Sequence, residues 1–417
     1  MSHLIPECQG RPGNDPIFAL SKLAEAHRAR EPAVLNATLG VLLDDDGKLA
    51  LFETAARAVR ELSAETVAAY APIAGSEPYL SSVKRDIFGA SPLLERAVAA
   101  ATPGGTGALR HAITTLVRPG QSVLTTSFYW GPYATLADEH GRKVRTFRMF
   151  DESGGFDVGA LDVAIGERLA EEGRAVLLLN DPCHNPTGYS LSEAEWATIS
   201  DVLRKHARKG PVSVVLDSAY AAFSEGSLER PLRALESLSG DLLLAFCWSA
   251  SKTFLQYGQR VGALVVVPPD PADAGPIQAA LAYACRGTWS NCNAGGMAAI
   301  TRLLADDAFA ASVKAERRVV TALLAARVAV WNETARAAGL VYPRYDGGFF
   351  VTVPTGEPER KAEALRERGV YLIPLAAGAL RVALCAVATR DVPRLATTIA
   401  EVVLGQSSGG GASRMDS

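Results

Sequence analysis

Six short apolar, β-branched runs recur through the chain, at 122–126, 144–149, 175–179, 212–216, 242–247 and 261–267, each set apart from the next by a turn or a longer amphipathic segment. They are near-continuously hydrophobic rather than alternating, which is the pattern of strands covered on both faces. Strands alternating with helices build a mostly parallel sheet, so the predicted fold class is α/β with a doubly wound layer. Between the third and fourth runs, Ser192 followed by Glu195 makes a capping box that predicts a helix reaching to about residue 208.

The rest of the chain supports a second, smaller body. Helical patterns at 17–30 and 47–62 precede a Gly- and Pro-rich stretch at 71–78. A long Ala-rich helical region over about 293–340 leads to a second α/β set, with strands predicted at 348–353, 371–373 and 380–384. The expected division is an N-terminal arm over 1–44 that joins the small domain, a large ligand-binding domain over 45–300, a small C-terminal domain over 301–404, and a Gly/Ser-rich tail over 405–417 expected to be disordered.

Composition excludes several classes. With 42 Lys plus Arg against 45 Asp plus Glu, the net charge of −3 supplies no global basic field, and no local basic patch stands out, so nucleic acid is not the expected partner. No apolar stretch reaches the ~18–20 residues of a membrane span. The start, MSHLIPECQGRPGN, lacks the basic head and apolar run of a secretion signal, so a cytoplasmic protein is expected. The six cysteines form no CxxC pair and read as buried free thiols rather than as disulfides or metal ligands.

Four segments stand at the ends of predicted strands, where open α/β sheets bind their ligands. The first, at 103–109, is a glycine-rich turn entering a helix and able to aim free amides at a phosphate, although alone it reads as a plain helix entry. The second, AsnAspProCysHisAsnProThrGly at 180–188, offers Asn185 as a donor, with His184 read as a supporting histidine. The third delivers Asp217, a helix cap or a charge for a ligand, with the Tyr220 phenol three residues on. The fourth places Lys252 just beyond a buried strand, where desolvation would free its amine to act as nucleophile or base, among Ser249, Ser251 and Arg260. Together they suit one ligand carrying a phosphate, an aldehyde for Lys252, a ring nitrogen for Asp217 and a phenolic oxygen for Tyr220 and Asn185: pyridoxal phosphate.

Those segments, with AspProIlePheAlaLeu at 15–20, LeuAspAspAspGlyLys at 43–48, TyrAlaProIleAlaGly at 70–75, Trp130, ArgGlyThrTrpSerAsn at 286–291 and LeuArgValAla at 380–383, make the chain resemble a fold-type I, class I aminotransferase of the aspartate and aromatic amino acid branch. The resemblance implies a large domain with a mostly parallel seven-stranded sheet between helices, a smaller C-terminal α/β domain, and a homodimer with shared active sites. It implies that Lys252 bonds to the cofactor aldehyde and shuttles the substrate proton, that Asp217 pairs with the ring nitrogen, that Tyr220 and Asn185 hold the ring oxygen, and that Trp130 stacks on the ring. Gly105, Thr106, Ser249 and Arg260 would hold the phosphate, joined by Tyr70 of the neighbouring subunit. Gly40, Asn185 and Arg381 would meet the substrate, Arg381 gripping its α-carboxylate as a bidentate fork, while Arg286 would reach across the dimer to a distal carboxylate.

The implied reaction is ping-pong transamination between an L-amino acid, aspartate or aromatic, and a 2-oxo acid, 2-oxoglutarate first among them. A different reaction of the same cofactor, such as an elimination or a decarboxylation, uses the same Lys252 and Asp217 and stays open. A cofactor-sensing transcription regulator would need a DNA-binding domain, and the family pattern already begins at residue 15. Four departures bear on substrate choice: CysAsn at 292–293 where the family has two prolines, Tyr133 and Asn180 at positions where histidine is common, and the bulkier GlyGlyPhePhe at 347–350.

Overall fold

A computed structural model describes residues 2–405 apart from Asn14, Glu225 and Ser227. The chain forms two compact units, one of Ala50–Ala325 with Pro343–Phe349, the other of the residues up to Leu49, Ala326–Tyr342 and those from Phe350 on. The division falls later than the residue 300 expected from sequence. It lies inside the 31-residue helix Asp307–Ala337, whose uniform Ala-rich sequence carries no mark of the boundary. All but the first residue of the tail predicted over 405–417 lies outside the described residues.

The large unit is built on a seven-stranded sheet in the order Val98–Pro103, Val261–Val267, Leu243–Ser249, Val212–Asp217, Ala175–Asn180, Ser122–Thr126, Lys143–Phe147. Only Val261–Val267 runs against the others. Ala175–Asn180 and Val261–Val267 are buried along their whole length, as their unbroken hydrophobicity requires. The helix Gly104–Leu116 lays Leu109 and Ile113 against Val215, Leu264 and Cys247 of the sheet, forming the main core. The predicted capping box is present at Ser192 and Glu195, and starts the helix Glu193–Ala207.

The strands' register then decides where chemistry can occur. Asn180 pairs with Asp217, and Asp217 with Cys247, so the carboxyl ends of neighbouring strands lie level at one edge of the sheet. The antiparallel neighbour brings Gly262 beside Ser249 and Val261 beside Pro103, placing Arg260 and the Gly104 turn at that same edge.

The smaller unit pairs Leu35–Asn36 with Val370–Tyr371 in parallel and joins Ile373–Leu375, Ala379–Ala383 and Phe350–Pro354 in an antiparallel sheet. Arg327 is fully buried there and donates through Nη1 and Nη2 to the carbonyls of Cys385 and Leu43 and to Asp45 Oδ1. All six cysteines are free thiols. Among the described residues no helix is long and apolar enough to cross a membrane.

Candidate active site

Lys252 stands in the short helix Ala250–Thr253, directly after the strand Leu243–Ser249. Its Nζ lies 4.6 Å from the Tyr257 ring centroid, 5.6 Å from that of Tyr220 and 5.5 Å from that of Phe349. Aromatic faces attract the amine by cation–π interaction, and its charge is also felt by the buried Asp217 carboxylate. Tyr220, Phe223 and Phe349 brace one another edge to face.

Asp217 is buried at the end of its strand. Its Oδ2 accepts the Tyr133 hydroxyl at 2.5 Å and its Oδ1 accepts the Ala219 amide at 3.3 Å. Its carboxyl stands above the usual carboxylate range, because burial raises it by more than the Tyr133 bond, the Ala219 amide and the charge of Lys252 lower it. A carboxylate placed so deep is suited to a buried cationic partner.

Asn180 donates its amide to the Asp217 carbonyl at 2.7 Å and accepts the Asn185 N–H at 2.6 Å, so one side chain ties two strand ends together. Asn185 in turn reaches the Tyr220 hydroxyl at 3.5 Å, and its Oδ1 is buried without a partner among the described residues. His184 bonds Thr187 Oγ1 at 2.9 Å, and burial holds its pKa down at about 3, so it is a neutral supporting residue as expected from sequence.

The turn into the helix Gly104–Leu116 is a backbone feature fixed by glycine. Gly104 has φ +68°, and a Cβ there would lie 2.5 Å from Arg260 Nη2; one at Gly105 would lie 3.2 Å from Ser249 Cβ. The first turn of Gly104–Leu116, containing Gly105 and Thr106, therefore faces a serine and a guanidinium across a gap that only glycine leaves open. Arg260 itself sits at φ +52° and donates to Ser251 Oγ at 3.1 Å and the Tyr257 carbonyl at 2.9 Å, which aims it at the turn.

Trp130 is half-buried and packs edge to face on Tyr133 at 5.7 Å. Tyr70 is 92% exposed. Arg286, at the end of the helix Ala274–Thr288, is also exposed and donates to Ser290 Oγ at 2.7 Å. The two belong to one surface, because Ala71 and Asn291 exchange hydrogen bonds, the Ala71 N–H donating at 2.8 Å. Within one chain neither joins the cluster around Lys252 among the contacts that define it. In the smaller unit Arg381 is buried on Ala379–Ala383, donates to the Thr38 carbonyl at 2.7 Å and lies 4.7 Å from the Phe350 ring. The Phe350 ring also occupies the space beside Gly40, where a Cβ would come within 2.5 Å of it.

The model of the family described as aminotransferase class I and II matches residues 32–399. The chain belongs to this family. It is 31% identical to the aspartate aminotransferase of Salmonella typhi over 71% of this chain and 74% of that one. It is 30% identical to the aromatic-amino-acid aminotransferase of Pseudomonas aeruginosa over 96% of this chain and 99% of that one. The crystal structure of an aromatic-amino-acid aminotransferase from Burkholderia pseudomallei covalently bound to pyridoxal phosphate superposes with a TM-score of 0.79, at 27% identity over 96% of this chain and all of that one.

This aminotransferase therefore uses pyridoxal phosphate, and its residues fit that group. The glycine-limited gap would take the phosphate, Asn185 Oδ1 is buried without a hydrogen-bond partner among the described residues, and buried Asp217 would face the ring nitrogen. Gly104→Ala should weaken pyridoxal phosphate binding by about tenfold, ~1.4 kcal/mol, because the added carbon strains a positive φ and displaces Arg260. Fluorescence titration of the cofactor-free enzyme measures it, and unchanged affinity would remove the turn from the phosphate site.

Sequence reasoning named most of these positions but not Tyr257. Tyr133, Asn180 and Phe349 appeared only within departures from the family pattern. The Tyr133 bond spans 84 residues, and nothing local announces it.

Proposed function

We propose that this aminotransferase takes the amino group of an L-amino acid, aspartate or aromatic, and passes it to a 2-oxo acid, 2-oxoglutarate, in two successive half-reactions within the cytoplasm. The observation that carries the reading is the placement of a ring-caged amine, Lys252, beside a buried carboxylate, Asp217, and a glycine-limited anion cradle at one sheet edge. When bound, pyridoxal phosphate supplies an electron sink for the pair left at the substrate Cα. Lys252 Nζ holds the cofactor at rest and carries the proton leaving Cα. Asp217 stays anionic to keep the ring nitrogen protonated. Asn185 and Tyr220 orient the ring oxygen, Trp130 covers one ring face, and Gly105, Thr106, Ser249 and Arg260 fix the phosphate. Arg381 receives the substrate α-carboxylate, and Gly40 and Asn185 also meet the substrate.

The working unit is a homodimer in this reading, supported by the exposure of Tyr70 and Arg286 on one hydrogen-bonded surface that also carries exposed Tyr283 and Val67. Tyr70 would complete the partner's phosphate site and Arg286 would read the distal carboxylate there. Mixing inactive Lys252→Ala subunits with Arg286→Leu subunits should regenerate one intact site per hybrid and restore aspartate turnover. No restoration in verified hybrid dimers would put Arg286 in its own subunit's site.

Arg286→Leu alone should lower kcat/KM for dicarboxylates by about 2–5 kcal/mol, the loss of a charged partner for a buried carboxylate, and spare aromatic substrates. Equal losses for both classes would show that Arg286 does not read the side chain. A single-turnover absorbance scan with L-aspartate, L-glutamate, L-phenylalanine and L-tyrosine tests the whole reading. Conversion of the cofactor to its amine form by any of these supports transamination, and release of ammonia or carbon dioxide without amino transfer would sink it.

A further inference from the structure

Asp217 must keep a negative charge away from water, and the hydrogen bonds it accepts decide whether it can. Tyr133 supplies the shortest. Its ring is completely buried, stacked on Tyr129 at 6.2 Å and 10° and set against the edge of Trp130, and its own N–H is fixed to the Trp130 carbonyl at 2.9 Å. The hydroxyl reaches Asp217 Oδ2 at 2.5 Å, the length of a charge-assisted O–H···O⁻ bond. Two further supports orient the same residue: the Ala219 amide on Oδ1 and the Asn180 amide on the carbonyl.

We propose that Tyr133 is a positioning residue that holds Asp217 as an anion and leaves Oδ1 directed to the cofactor ring nitrogen, through a permanently donated phenol hydrogen bond. The proposal rests on the reading of Asp217 as the partner of that nitrogen. The groups facing the pair are Lys252, Tyr220 and Cys247. Burial pushes the Cys247 thiol up, so it stays neutral, and Lys252 is the one cation among them. Burial first, and Asp217 second, pushes the Tyr133 hydroxyl well above the usual phenol range, so it stays protonated. A histidine at this position would gain or lose a proton near neutrality and change the local charge as it did so. The phenol cannot, and Asp217 thus has a donor that does not vary with pH.

The test uses the full-length holoenzyme reconstituted with ring-15N pyridoxal phosphate. Tyr133→Phe deletes one oxygen and keeps the stacked ring. The expected result is a ring nitrogen resonance shifted toward its unprotonated value, kcat lower by about 10- to 100-fold, as for loss of a hydrogen bond to a charged group, and KM little changed. A resonance identical to that of the unsubstituted enzyme overturns the proposal even if activity falls, because a merely packing role would not move the nitrogen's protonation. Asp217→Ala is measured beside it. If that variant also leaves the resonance in place, the reading of Asp217 itself fails; if only Tyr133→Phe does, the role of Tyr133 alone fails.

Discussion

Lys252→Ala should abolish amino transfer and leave the fold intact. The amine is proposed to hold the cofactor and to carry the Cα proton, so its loss removes both nucleophilic and acid–base catalysis, together about 10⁴-fold or more in kcat. Its surroundings predict the absence of a folding defect. Lys252 lies on a four-residue helix and meets three aromatic rings, and an alanine there leaves Tyr220 and Phe223 packed on Phe349. The variant should also lose the pH-dependent absorbance that reports a covalent link between the lysine and the cofactor. Circular dichroism checks the fold and single-turnover absorbance checks the chemistry. Measurable turnover in the cofactor-loaded variant would remove the central assignment.

Asp217→Ala should cost about 10²- to 10³-fold in kcat, the usual effect of deleting a preorganised electrostatic group, and weaken pyridoxal phosphate binding as well. Asp217→Asn should behave like the alanine variant, because the role proposed needs a negative charge and an amide supplies only hydrogen bonds. Near-normal rates for Asp217→Asn would mean that the position holds the ring by geometry alone. The two substitutions differ in what they leave behind. Alanine strands the Tyr133 hydroxyl in the core, whereas asparagine can still accept from it, so Asp217→Asn should be the more stable protein by about 1–3 kcal/mol.

The large sheet was legible because its signal is local. Runs such as 175–179 and 261–267 are hydrophobic without interruption, and both became fully buried strands. Val98–Pro103 escaped notice because its middle, Ala99–Ala101, carries no β-branched side chain. The pattern at 47–62 overstated a helix that spans only Glu53–Arg60. At the site, Lys252, Asp217 and Asn185 could be read because each follows a strand that announces itself, and the 103–109 turn through its own glycines. Tyr257 and Phe349 could not, since they reach Lys252 through loops whose course depends on the folded whole. The residues proposed to act across a dimer were readable only through family resemblance, as exposure alone distinguishes neither Tyr70 nor Arg286 from an ordinary surface residue.

The depth of Asp217 has a thermodynamic consequence. A carboxylate sealed from solvent, with hydroxyl and amide donors and Lys252 as the one cation facing it, is a liability to the folded chain until the cofactor's ring nitrogen adds a second. The cofactor is then a folding ligand as well as a reagent, and a hundredfold excess over its dissociation constant adds about 2.7 kcal/mol to stability. Melting temperature becomes a gauge of cofactor saturation, so chains that have not yet captured pyridoxal phosphate form the pool most open to proteolysis.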